Sequence, residues 1–337
     1  MNKTSEIRKL MGKSSKLWIL VAVMLILTVL NPGIFLTLNN MKSILLAISI
    51  YGIMLCGAIF PILMGGIDLS VGAVAASAGA FTVTWIVNHG ETDLSVVVGV
   101  LGGLAIGALA GIFHSIIITR FAVPAFLVTL ATQNIIYGIA QLFTNNNVIP
   151  CMDPPSFAFL GGGVLLGIPF SIYIMIAMAV ISHILLTKTV FGRYVYAVGG
   201  NYEACRLSGV NSNLISLLSY MASGLTSALA GIVLASMNRQ AIAKAAQGYD
   251  NYVITAVVVG GASLMGGEGT IVGAIWGAFL VGAISNGLRL MGLASEYHGI
   301  VKCVVIVAAV AIDANARFRK SGLQKGGLFR KTRKSAN

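Results

Sequence analysis

The sequence predicts an all-α membrane protein, a polytopic helical bundle of about ten transmembrane helices with both termini cytoplasmic. Three observations carry that prediction. Of 337 residues, 57% are hydrophobic and 9% charged, with mean hydropathy +0.91, which leaves too few ionisable groups to coat a soluble particle. Apolar runs of about 20 residues, enough to cross a bilayer, recur along the chain. The net charge of +12 is concentrated at the ends: +4 before residue 17 and +8 after residue 316, with nine basic and nine acidic residues between. Basic segments stay on the cytoplasmic side, so two basic tails require an even number of spans. The same rule accounts for the C-terminal tail without a nucleic-acid partner.

Taken in order, the candidate spans are 17–38, 43–63, 71–87, 94–119, 122–144, 164–186, 214–236, 251–265, 270–290 and 299–316. They divide the chain into a basic tail (1–16), a transmembrane domain (17–316) and a second basic tail (317–337). The first span follows a basic stretch, as a secretory signal would. It runs into Asn31-Pro32-Gly33 with no small-residue cleavage site, and reads as a retained span. With the N-terminus inside, loops 88–93 and 145–163 fall outside, and neither contains Lys or Arg. Arg120 and loop 187–213, with Lys188, Arg193 and Arg206, fall inside. Loop 237–250 runs against the rule, since Arg239 and Lys244 land outside.

Helices in lipid gain nothing from hydrophobic burial against one another and associate through close contact at small residues. Gly99, Gly103, Gly107 and Gly111 put such a face on the fourth span, and Gly269, Gly273 and Gly277 begin a shorter one on the ninth. A weak internal echo relates GGIDLSVGAV at 65–74 to GGEGTIVGAI at 266–275, of the kind left by repeated halves. Each copy opens on a glycine pair that breaks a helix, and each carries one carboxylate, Asp68 or Glu268. A carboxylate at membrane depth is a functional candidate; a helix cap or an interfacial turn is the alternative.

Enzymatic chemistry finds no foothold. The four histidines lie on separate segments, no catalytic motif occurs, and the four cysteines are spread over different apolar segments without metal-ligand spacing. No metal, cofactor or disulfide is expected. No Walker loop is present either: Gly12-Lys13-Ser14 has Ile7 where the leading glycine belongs. The fifth span carries a polar series instead, with Thr129, Gln133, Tyr137 and Gln141 at four-residue spacing and Asn134 adjoining. Uncharged donors beside an aromatic ring suit a polyhydroxylated neutral solute. Hydrogen bonding between helices would call for the same residues.

The long polar interruption, 187–213, holds a short helix: Asn201 to cap it, Glu203 near its positive end and Gly209 to stop it. Around it stand FGRYVYAVGGNYEACRLSGV (191–210), GGIDLSVG (65–72), VPAFLVTLAT (123–132), SGLTSALAGIVLAS (223–236) and VVVGGASLMGGEGTIVGAIWGAFLVGAISNGL (257–288). Together these segments resemble the permease subunits of ribose, galactose and xylose ABC importers, over nearly all of 39–313. Tyr202-Glu203-Ala204-Cys205 looks like the coupling segment of such permeases, with Cys205 where an alanine usually stands. The resemblance implies a homodimer in the lipid bilayer, a cytoplasmic ABC ATPase partner and an extracytoplasmic sugar-binding protein. It assigns Arg193, Glu203, Ala204, Arg206 and Gly209 to ATPase coupling. Asp68, Thr129, Gln133, Asn134, Tyr137, Gln141 and Glu268 are the candidates for the solute path. Two other expectations stay open: a stand-alone ion-coupled transporter, or the same permease type for a nucleoside, a polyol or a furanosyl signalling compound.

Overall fold

The computed structural model describes residues 23–293, together with 297, 299, 300 and 304. Both basic tails, the start of the first expected span and nearly all of the last lie outside the described residues. The chain is helical: α1 (23–30), α2 (Leu38–Leu63), α3 (Val71–Asn88), α4 (Asp93–Phe121), α5 (Ala125–Thr144), α6 (Pro155–Gly162), α7 (Phe170–Lys188), α8 (Val190–Gly200), α9 (Tyr202–Leu207), α10 (Ser212–Asn238), α11 (Tyr249–Val259) and α12 (Ile271–Leu290). Two minimal antiparallel pairs complete it. β1 (Ile149–Pro150) joins β4 (Gln240–Ala241), and β2 (Val164–Leu165) joins β3 (Ile168–Pro169). Among the described residues, seven helices are long and apolar enough to cross a membrane: α2, α3, α4, α5, α7, α10 and α12.

Three expected spans are corrected. The first does not reach residue 38, because the chain turns at 31–37, where Pro32 and Gly33 (φ +76) break the helix and Thr37 accepts a hydrogen bond from Asn40 N to start the next. The sixth begins at Phe170, not 164, since Leu166 and Gly167 turn back with positive φ and make a hairpin of the preceding residues. The eighth, expected over 251–265, is a helix of only 11 residues. At about 1.5 Å per residue it spans roughly half a bilayer.

Helix α10 is the centre of the bundle and packs against α2, α3, α4 and α6. The glycine face of α4 makes a close approach of this kind. A Cβ on Gly107 would overlap the Gly224 carbonyl of α10, and one on Gly111 would overlap the Tyr220 carbonyl. Nearer its start α4 leans on α3: a Cβ on Gly99 would lie 3.0 Å from Thr82 O, whose own hydroxyl donates to Gly99 O over 3.0 Å. Backbone therefore meets backbone, as the four-residue glycine spacing predicts. Gly273 and Gly277 do the same for α12 against α11, on Gly260 and Ala256.

The strand pair β1–β4 ties the segment after α5 to the segment after α10. This puts the start of the 237–250 loop at the same end of the bundle as the 145–163 loop, which has no basic residue. Segments α8 and α9 lie at the other end.

Candidate functional site

The two glycine turns, far apart in sequence, touch. Gly267 N donates to Leu63 O over 2.8 Å, and a Cβ on Gly266 would come within 2.8 Å of Gly65 N. Both Gly65 (φ +83) and Gly266 (φ +86) hold left-handed backbone, open to glycine at little cost. Helix α8 closes the junction. Gly199 packs so tightly on Leu63 O that no Cβ fits, and the Tyr196 hydroxyl donates to Gly269 O over 2.8 Å. Burial pushes that phenol above its ordinary pKa, so it remains a donor at any physiological pH. The polar interruption is thus more than a loop: α8 buries Gly192, Val195 and Val198, and Phe191 meets Phe60 at 5.4 Å between ring centres.

The two carboxylates have different surroundings. Asp68 is 4% exposed. Its Oδ1 accepts from Ser70 N (3.0 Å) and Ser70 Oγ (2.6 Å), and its Oδ2 accepts from Ser223 Oγ of α10 (2.6 Å). It closes the turn that leads into α3 and also ties that turn to the central helix. Glu268 is exposed at the junction.

The polar series on α5 divides as well. The Thr129 hydroxyl lies 3.1 Å from Ile67 O and accepts from Leu69 N at 3.2 Å, clamping the first glycine turn to α5. Here the interhelical reading prevails. One turn on, Thr132 Oγ1 meets Nε2 of the buried His114 at 2.7 Å, joining α5 to α4. Tyr137 is buried, Gln133 and Gln141 are half-buried, and Asn134 is exposed, one residue and therefore about 100° away from Gln133 around the helix. The five residues do not share one face.

His114, Thr132 and Ser223 are missed by sequence reasoning. A signal for the last was present: Ser212, Ser216, Ser219, Ser223 and Ser227 put hydroxyls on one face of α10 at helical spacing, and all five are buried.

Helix α9 stands apart from these contacts. None of its six residues is buried. Asn201 Oδ1 accepts from Ala204 N (2.9 Å), and Gly209 (φ +81) follows the helix, as expected. Glu203 pairs with Arg206 at 3.0 Å, each side chain 65% exposed, a surface ion pair worth about 0–1 kcal/mol. Arg193 on α8 is also exposed. These side chains are presented outward and are needed little for the fold.

The family described as branched-chain amino acid transport system / permease component matches residues 40–310. The chain is 38% identical to the ribose import permease of Escherichia coli K12 over 307 residues, 90% of this chain and 94% of that one. It is equally identical to the ribose import permease of Bacillus subtilis 168 over 295 residues, 87% and 90% of the two chains. It is 36% identical to the L-arabinose transport system permease of Escherichia coli K12, covering 88% of each. No solved structure matches. A match of this extent, on a bundle of apolar helices joined at two glycine turns, means that the chain belongs to this family of ABC-importer permease subunits and is a multi-pass protein of the cell membrane.

Proposed function

We propose that the chain carries a monosaccharide into the cell as one half of a homodimer, receiving it from an extracytoplasmic sugar-binding protein and driven by ATP hydrolysis in a separate cytoplasmic subunit. The observation that carries this is identity of 36–38% along nearly the full length of permeases named for ribose and L-arabinose. A pentose is the first substrate to test. Helix α9 supports the ATPase assignment: Glu203, Ala204, Arg206 and Gly209 present a capped helix whose charges are free to exchange partners, with Arg193 beside them. With α9 facing the cytoplasm, the strand-paired end faces the binding protein.

Uptake of labelled ribose and arabinose by cells with and without the ATPase subunit tests the reading. Uptake is expected to vanish with the ATPase, since the chain has no phosphate loop. Uptake that survives the deletion and is abolished by an uncoupler would establish an ion-coupled carrier. Calorimetry on the binding protein separates a pentose from a nucleoside, a polyol or a furanosyl compound. Glu203→Lys puts a positive charge where a negative one meets the partner. Losing a desolvated pair at an interface costs about 2–5 kcal/mol, a drop of about 30-fold or more in affinity. Transport and co-purification of the ATPase are expected to fail together while the folded amount stays normal.

A further inference from the structure

The segment from β4 to α11 enters the bundle and stops at half depth. Helices α3 and α10 run in the same direction: Asp68 before α3 meets Ser223, and further on Gly231 packs against the backbone of Ala75. Gly72 lies three residues below Ala75, and a Cβ on it would come within 2.5 Å of Ala246 O. Helix α10 continues from Gly231 to Asn238. At about 1.5 Å per residue, Ala246 therefore lies roughly 15 Å below the strand-paired end of α10, half of a hydrocarbon core of about 30 Å. Helix α11 starts there, at Gly248, and runs on to the second glycine turn.

Irregular backbone at such depth is stable only against protein or water. Ala243 and Ala246 face protein and are buried, whereas Lys244 and Gln247 are exposed. A lysine held near half depth is costly in lipid, which favours water at this face. A second observation points to the same place. Tyr137 is 8% exposed, and its hydroxyl is buried without a hydrogen-bond partner among the described residues. It stands 3.2 Å from the Cβ position of Gly72, the residue on which Ala246 packs. A buried hydroxyl left unpaired costs stability, and phenylalanine would fill the same space without that cost.

We propose that residues 240–248 and the first turn of α11 form a re-entrant lining of the solute passage at mid-bilayer, where Lys244, Gln247 and the Tyr137 hydroxyl meet a neutral polyhydroxylated solute. This rests on the transport reading above. The amide end of α11 carries the positive end of the helix dipole, and Lys244 adds a cation. A neutral solute accepts hydrogen bonds from these groups, and the buried Asp250 in the first turn of α11 offsets their positive charge.

The experiment uses the assembled transporter in vesicles and the variants Lys244→Cys, Gln247→Cys and Ile176→Cys, with the parent protein as background. Ile176 is exposed on α7 in an apolar groove next to α12, and the adjoining Met175 packs on Gly52 in the middle of α2. A charged, membrane-impermeant thiosulfonate should modify the first two at least 10-fold faster than Ile176→Cys, which should react with a lipid-soluble maleimide instead. Modification of Lys244→Cys and Gln247→Cys as slow as that of Ile176→Cys in every nucleotide state would overturn the proposal. This measurement needs no sugar, so a wrong substrate assignment leaves it intact. Tyr137→Phe should raise KM for uptake about 10-fold with folded amount and unfolding temperature unchanged or improved. An unchanged KM would remove Tyr137 from the passage.

Discussion

The two glycine turns begin from one sequence pattern and end in different environments. Turn 64–70 lies under α10 and α5, and its carboxylate holds three hydrogen bonds in a buried site. Turn 260–270 lies under α8, and its acidic residue is exposed. The shared part is backbone: each pair opens on a glycine at positive φ, Gly65 and Gly266, in the turn before the next helix starts. The difference comes from the neighbour. A helix bearing hydroxyls faces the first turn, whereas α8 offers the second turn a tyrosine that bonds main chain and ignores the acid. An internal echo in sequence therefore reports a common turn and says little about the charge it carries.

The largest effect expected from this contrast is at Asp68. Asp68→Ala leaves Ser70 N, Ser70 Oγ and Ser223 Oγ without their acceptor, and should cost about 3–5 kcal/mol, seen as lost folded protein in detergent. Equal damage from Glu268→Ala would break the comparison. Next comes Gly266→Ala, about 2–3 kcal/mol, because left-handed backbone is combined with a Cβ 2.8 Å from Gly65 N and 2.9 Å from Gly199 O, backbone atoms with little room to yield. Its counterpart Gly65→Ala meets nothing closer than 3.3 Å and should cost only the conformational share, about 1–2 kcal/mol. Thermal unfolding of the pair measures how far the second turn depends on the first. Ser223→Ala removes one of Asp68's three donors, for about 1–2 kcal/mol by the same assay. Glu268→Gln, at an exposed residue, should change stability less than Asp68→Ala does.

Much of this could be read from residues. The six spans from residue 43 to 236 and the span at 270–290 are each matched by a long apolar helix, since composition alone separates bilayer from loop. The half-helix α11 was obscured because Val253 to Val259 reads as the start of a full span; Gly248 and the pair Gly260-Gly261 are its true limits. The packing of α8 was hidden by its charge and tyrosines, although Gly192, Val195 and Val198 recur at three-residue spacing on one face. At the site, Asp68 stood out as a lone acid among apolar residues. Its partner Ser223 did not, because serine is unremarkable in a membrane helix until the hydroxyls are counted around the turn. Nor could any local pattern pair Ile149 with Ala241, which are distant in sequence and matched by the fold alone.

Helix α8 rests on two supports at once, with Gly199 against the Leu63 carbonyl and the Gly267 amide, and the Tyr196 hydroxyl on Gly269. Mechanically this is a yoke. At Gly199 the contacts are main chain against main chain, so no side chain there can change rotamer to absorb a displacement, and a shift of α8 by more than a few tenths of an ångström has to move the end of α2 and the second glycine turn together. A load applied to the short exposed helix that follows it would be divided between two load-bearing helices instead of bending one.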